Sequence, residues 1–356
     1  MMADTLVLAY SGRPETAREI ARLASTGAEI VTVTVDLGQA EDLEQICLEA
    51  RTAGAARTHV VDARDRFAAE VLLPALRAGA TGPSAVRPTA LARPIVAAVL
   101  AEIARIEKTS RVAHGGVGAD GAAFARLLAD HAPGLEVVAL DAAATARDAA
   151  APRIGANLWG RTVLFPAPSD AWTPVPATLF TRTSDPTAGV AQLAQVDLTF
   201  EHGVPVAVNG IPMSFLEVAE VVDTIAGDHG VGRIDQITPA FAPAGPLRGD
   251  REITEAPAAV TLATALADLE RARLDPRLAM LKMQLSAQYA AIVDSGDWYS
   301  PTRQALDAFV ATAMSSVSGT VRATLSRGAC RVVGRELADP SPRAVTSSSA
   351  GVEPAL

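Results

Sequence analysis

Thr5–Ala17 reads TLVLAYSGRPETA, and this stretch decides how the chain is read. Leu6, Val7, Leu8 and Ala9 form a short apolar run of the kind a strand buried on both faces needs. It ends at Ser11-Gly12, ahead of an amphipathic segment. The pattern is a strand, a tight turn and a helix start. Free backbone N–H groups at such a helix start suit an anion, most often the phosphates of a nucleotide. A second reading stands beside it: Ser11 caps the helix, Pro14 occupies the first turn where a missing N–H does no harm, and Glu15 favours the positive end of the dipole.

Working outward, Ala17–Ala28 has helical spacing, with Ile20, Leu23 and Ala24 on one face, and Glu29–Val35 reads as a second strand ending in Asp36-Leu37-Gly38-Gln39. Asp36 falls at the carboxyl edge of a parallel sheet, where open α/β sheets bind ligands, or else caps the helix that follows across 41–54. A strand at Thr58–Val61, a helix at Arg64–Ala78 interrupted by Pro74, a long helix entered through Thr89–Pro94, and strands at Arg111–His114 and Val137–Leu140 continue the alternation. The expectation is an α/β fold with a parallel sheet covered by helices. Gly115-Gly116-Val117-Gly118 is a second glycine-rich turn at the same sheet edge, which strengthens the nucleotide reading.

The alanine-rich stretch Asp141–Arg153 marks a domain boundary, giving a nucleotide-binding-like domain over 1–150, a second domain over 151–338 and a disordered tail over 339–356. In the second domain Asn157–Arg161 reads as a loop and Glu201-His202-Gly203 as the turn of a hairpin. Ser214 with Glu217 has the spacing of a capping box. Helices near Val260–Arg273, Pro276–Ser295 and Pro301–Ser316, then strands at Gly319–Leu325 and Ala329–Val333, make this domain α+β.

Composition narrows the function classes. The 356 residues are 49% hydrophobic but only 4% aromatic, so the core rests on Ala, Val, Leu and Ile. The net charge of −9 argues against a broad nucleic-acid-binding face, and no apolar run is long enough to cross a bilayer. With an N-terminus unlike a signal peptide, the expected setting is the cytoplasm, with no membrane partner. Cys47 and Cys330 are too few for a disulfide framework or a cysteine zinc site, and the spacing of His114, His202 and His229 suggests no metal. Trp159 and Trp298 are expected to pack rather than to stack on a ligand.

A series of short motifs then falls in one order: Ala9-Tyr10-Ser11-Gly12, TVDLGQ within Val33–Gln39, Ala92-Arg93-Pro94, Ala113-His114-Gly115, Asn157–Arg161, His229–Asp235, Glu255-Ala256-Pro257, Trp298–Pro301 and Gly319–Arg322. In this the chain resembles the argininosuccinate synthase family over about residues 5 to 335. The resemblance implies an adenine-nucleotide hydrolase-like (Rossmann-like) parallel sheet, a second α+β synthetase domain and a homo-oligomer. It also implies an ATP-dependent, AMP-forming carbon–nitrogen ligase. In the family reaction ATP, with magnesium, adenylates the ureido oxygen of citrulline, and the amine of aspartate displaces AMP. Carried over residue by residue, it places ATP at Ala9, Tyr10, Ser11, Gly12, Thr16, Val35, Asp36 and Gly115, and the amino-acid-like substrate at Thr89, Arg93, Thr162 and Glu255. It assigns no catalytic residue and no metal ligand.

The chain departs from the family pattern in three ligand regions, one of them the citrulline region, where Ala85 and Ala90 stand in place of a tyrosine and a serine. The family's SGGLDTS is here Ser11–Ala17, SGRPETA; Arg13 adds a side chain where backbone approaches phosphate, and Pro14 removes a donor. The family's HGxTGKGNDQ becomes His114–Ala123, with Val117, Ala119, Gly121 and Ala122 replacing threonine, lysine, asparagine and aspartate. A pocket for a dicarboxylic amino acid needs such cationic and hydrogen-bonding groups. Three readings follow: argininosuccinate synthesis itself, a ligase diverged in substrate, or a non-catalytic binding or regulatory protein.

Overall fold

The structure, a computed structural model, describes residues 5–81, 86–116, 118–138, 140, 152–165, 172–187, 193–240 and 248–338. Ala85, Val117, the boundary stretch across 141–151 and the tail at 339–356 lie outside the described residues.

Strand β1 (Thr5–Ala9) is buried on both faces, as its apolar run requires. Leu6 and Leu8 point into a small core with Ile20, Ile30 and Ile46, while Val7 points into a large one with Val31 and Val33. The first domain runs through α1 (Pro14–Ser25), β2 (Glu29–Asp36), α2 (Leu43–Thr52) and β3 (Arg57–Asp62). It continues with α3 (Arg64–Phe67), a π-helical turn at Ala68–Leu72, α4 (Leu73–Ala78), α5 (Pro88–Ile106), β4 (Arg111–His114), α6 (Gly118–His131) and β5 (Glu136–Val138). The five strands pair in parallel in the order β3-β2-β1-β4-β5. Chain order therefore reverses between β1 and β4. That crevice is where a doubly wound sheet binds ligands.

Local chemistry explains where boundaries differ from expectation. Helix α1 starts at Pro14, earlier than the apolar spacing shows, and its N-cap is Arg13, which makes no side-chain cap. The capping role read for Ser11 is thus corrected: Ser11 lies two residues before the cap. Asp36 does not cap α2 either. That role falls to Asp42, whose side chain accepts from the Gln45 N–H at 3.0 Å. Pro74 does not break its helix; the π turn before it widens the backbone, and the Leu73 N–H reaches back five residues to the Ala68 carbonyl.

The second domain contains β6 (Arg153–Asn157), β7 (Gly160–Phe165), β8 (Ala194–Glu201), β9 (Val204–Val208), β10 (Ile211–Pro212), α7 (Phe215–Asp228), β11 (Arg233–Ala240) and β12 (Arg248–Glu255). It closes with α8 (Pro257–Arg273), α9 (Pro276–Ser295), α10 (Pro301–Met314), β13 (Gly319–Ser326) and β14 (Ala329–Leu337). The strands form two antiparallel sheets, β11-β12-β7-β6 and β10-β9-β8-β13-β14. The stretch Asn157–Arg161, expected to be a loop, is instead a hairpin, with Leu158 and Trp159 as its two-residue turn between the paired Asn157 and Gly160. The hairpin at His202-Gly203 and the Ser214–Glu217 capping box form where expected. His202 and Gly203 both take positive φ, the requirement of a two-residue hairpin turn. The large core is continuous from Val7 in the first sheet through α5 to Leu262 on α8 and Val321 on β13. Trp159 and Trp298 are both buried in it.

Candidate active site

The loop after β1 and the turn after β4 meet at the reversal point of the parallel sheet. Thr16, in the first turn of α1, is buried, and a Cβ on Gly115 would fall 2.7 Å from its hydroxyl oxygen. Glycine at 115 is therefore what lets β4 approach α1. Gly12 holds φ of +76°, a left-handed turn that delivers the chain into the helix. Helix geometry leaves the Glu15 and Thr16 N–H groups without intrahelical acceptors at the start of α1, an arrangement that suits an anion. Pro14 contributes none.

The neighbouring residues Ala9, Tyr10, Val35 and Asp36 lie at or just past the ends of β1 and β2. Ala9 is half-buried at the end of β1. Tyr10 turns its ring into the smaller core, where its hydroxyl is buried without a partner and burial pushes its pKa up; only its backbone borders the crevice. Its N–H donates to the Val33 carbonyl at 2.9 Å, and Thr34 donates to its carbonyl at 3.0 Å. At the end of β2 the Val35 carbonyl accepts from the Gln39 side chain, and Asp36 accepts from the Gly38 N–H at 2.9 Å. Asp36 thus fixes the turn beside the crevice, with Arg64 3.7 Å away.

The β4 turn is folded tightly on itself. The Gly116 N–H donates to His114 Nδ1 at 3.1 Å, which leaves the proton of the neutral ring on Nε2. The imidazole stands edge-on to Phe124 at 4.8 Å, and its burial lowers its pKa. A Cβ on Gly121 would lie 2.6 Å from the Gly116 carbonyl oxygen. A larger residue at 121 would force this turn open.

The substrate-side residues form two groups. Thr89 and Arg93 lie on the first turns of α5 beside β6, where a Cβ on Gly155 would come 3.0 Å from the Thr89 hydroxyl oxygen. Arg93 donates to the Asp294 carbonyl at 3.1 Å and pairs with the Asp120 carboxylate. Thr162 and Glu255 lie on the adjacent strands β7 and β12. Thr162 is buried with its hydroxyl 3.1 Å from that of Thr254. Glu255 is 1% exposed and accepts from the backbone N–H groups of Thr181, Arg182 and Thr183, from the Thr183 hydroxyl and from Arg161. Its carboxylate is committed to holding the 181–183 segment in place.

Three features of the site carried no sequence signal. Arg13 reaches across to the second domain and donates to the Ile154 carbonyl at 3.3 Å, so the altered phosphate loop touches β6. Arg182 donates to Asp223 and to the carbonyls of Asn157 and Leu158. Asp120 meets Arg93 across two helices, a contact that no spacing along the chain announces.

Comparison with known proteins agrees with this geometry. Residues 5–153 match the family model described as the argininosuccinate synthase N-terminal HUP domain, and residues 153–344 match that of the argininosuccinate synthase C-terminal domain. An argininosuccinate synthase from Dehalococcoides mccartyi is 36% identical over 365 aligned positions, covering 94% of this chain and 87% of that protein. With both halves of the chain matched, and with the parallel sheet and crevice in place, the chain belongs to the argininosuccinate synthase family.

Proposed function

We propose that the protein is an ATP-dependent, AMP-forming carbon–nitrogen ligase of argininosuccinate synthase type, diverged in substrate. The observation that supports this best is the meeting of the β1 loop and the β4 turn at the sheet's reversal point, with Gly115 set against Thr16. ATP fits there as substrate: the Glu15 and Thr16 N–H groups point at phosphate, and Arg13 adds a guanidinium where a second glycine and its close backbone approach are gone. Magnesium would enter with the nucleotide, held mainly by phosphate oxygens and water; among the described residues no group of three or more His, Cys, Asp or Glu side chains could hold a metal.

In the proposed reaction an amide-type or ureido oxygen attacks the α-phosphorus, and the bond from that phosphorus to the bridging oxygen breaks to release pyrophosphate. An amine then attacks the activated carbon, losing a proton, and AMP departs with the former substrate oxygen. Adenylation turns a poor leaving oxygen into a good one. The protein's share is alignment and stabilisation of phosphate charge. His114, neutral with its proton on Nε2, ends β4 beside Gly115 at the same sheet edge and could donate to that charge. The proposed setting is the cytoplasm, with small amino-acid-like substrates and a homo-oligomeric assembly. Among the described residues no helix is long and apolar enough to cross a membrane.

The test is calorimetric titration with magnesium and ATP, followed by a pyrophosphate-release screen of ureido, amide and carboxylate acceptors paired with amines. ATP binding together with acceptor-dependent pyrophosphate release is the expected result. No ATP binding up to millimolar concentration would overturn the ligase reading in favour of a non-catalytic binding protein, which the compaction of the β4 turn around Gly116 and Gly121 also favours.

A further inference from the structure

Arg93, near the start of α5, bridges α6 and α9, and its charge is already answered from within the chain. Its side chain is 12% exposed. One terminal nitrogen pairs with the carboxylate of Asp120 and the other donates to the Asp294 carbonyl, close to the C-terminal and therefore negative end of α9. Asp294's own carboxylate is bound by Arg87 at 2.7 Å, which fixes that end of the helix. Asp120, by contrast, is 55% exposed at its side chain and sits in the first turn of α6, directly behind the Gly115-Gly116 turn. One oxygen of this carboxylate holds the guanidinium while the side chain as a whole stays more than half exposed, so a ligand bound beside the Gly115-Gly116 turn meets its negative charge.

An incoming substrate carboxylate would have to displace Asp120 from Arg93 and then lie beside the carboxylate it displaced. Like charges so placed reject the wrong ligand as effectively as new contacts select the right one. An ammonium group gains where the carboxylate loses, because it can donate to the other, solvent-facing oxygen of Asp120 without breaking the pair with Arg93.

We propose that Asp120 is a specificity-determining residue: by occupying Arg93 it excludes a carboxylate from this end of the substrate and selects a ureido compound that carries an amine there. The proposal rests on the ligase reading of the same site and names its substrate class.

Calorimetry of the full-length protein tests it with three probes: citrulline, ureidobutylamine (citrulline without its carboxylate) and butylurea, which has neither charged group. The unaltered protein should bind ureidobutylamine at least ~10-fold more tightly than citrulline, with butylurea between them. In Asp120→Asn the order should reverse by a comparable factor, because Arg93 is freed for a carboxylate and the amine loses its partner. Asp120→Gly should show the same reversal, which guards against an effect peculiar to asparagine. Equal or tighter citrulline binding to the unaltered protein, an unchanged ratio in both variants, or no binding of any probe overturns the proposal. ATP titrated separately into the same samples reports on the ligase reading by itself, so failure of one is distinguishable from failure of the other.

Discussion

A hydrogen replaced by a methyl group at Gly115 tests the site at its narrowest point. The added Cβ would lie 2.7 Å from the Thr16 hydroxyl oxygen, closer than side chains tolerate, so the β4 turn and α1 must part. Gly115→Ala should cost about 1–3 kcal/mol of stability as an overpacked contact, and it should weaken ATP binding by ~10-fold. Adding Thr16→Ala removes the obstructing hydroxyl and should restore most of the stability; strictly additive losses in the double-mutant cycle would show that the two residues do not oppose each other. Asp268 is a second residue-scale case, on acid stability. Hydrogen bonds first from Arg335 and then from Arg271 hold its carboxyl below the usual carboxylate range, against the opposing effect of its burial. Its native pKa lies below its unfolded one, so the stabilisation is present above about pH 4 and is lost as pH falls toward the native value. Asp268→Asn should therefore lower the urea midpoint at neutral pH, and the gap to the unaltered protein should narrow by about pH 3. A gap that stays constant with pH would contradict the assignment.

Helix α7 shows what a single cap contributes to an element. Ser214 accepts from the Glu217 N–H at 3.3 Å while the Glu217 carboxylate accepts from the Ser214 N–H at 2.7 Å, which satisfies two donors reciprocally. Ser214→Ala should cost about 1 kcal/mol in urea denaturation, and a loss below a few tenths would mean that tertiary packing alone fixes the start of α7. This element was legible because capping chemistry is local. The strand-helix alternation from Thr5 to His114 was legible for a related reason: strands buried on both faces read as mainly apolar, β-branched runs, interrupted in β2 only by the buried Thr32 and Thr34. Strand β12 was not. Its sequence, RGDREITE, has no apolar alternation; what anchors it is buried Arg251, which puts Nε and one terminal nitrogen on Asp235 of β11 and the other terminal nitrogen on the Thr173 carbonyl. The β6–β7 hairpin was misread because Asn157 and Gly160 look like loop residues, whereas Asn157 holds the turn through the Trp159 N–H and ties it to α5 through the Pro88 carbonyl. The site divides the same way. Thr16, Gly115 and Arg93 stand in motifs, but the Arg93–Asp120 pair and the backbone clasp on Glu255 exist only once distant segments pack.

At the scale of the whole molecule, the two domains are joined by the tip of that hairpin as well as by the shared core. The Leu158 N–H donates to the Leu37 carbonyl at 2.7 Å, at the end of β2, and a Cβ on Gly38 would lie 3.3 Å from Leu158, so the tip sits directly against the turn that Asp36 organises. Trp159 is buried next to it, 6.2 Å from Phe215 of α7. Arg182 closes the arrangement from the second domain, with one arm on Asp223 at 2.7 Å and two donors on the Asn157 and Leu158 carbonyls at 2.6 and 2.8 Å. Its side chain is 20% exposed, so water screens part of this charge, and the usual cost of breaking a buried pair has to be discounted accordingly. Arg182→Met keeps the aliphatic stem but removes all three bonds, and it should lower global stability by about 2 kcal/mol. The more diagnostic readout is local. Hydrogen exchange at the Leu158 amide should accelerate by more than the global loss accounts for, because the tip is released from Leu37 while the large core from Val7 to Val321 still holds the domains together. If Leu158 keeps its protection relative to the core amides, the guanidinium only satisfies carbonyls in place, and the tip is held against Leu37 and Gly38 without it, by the packing of Leu158 and the buried Trp159.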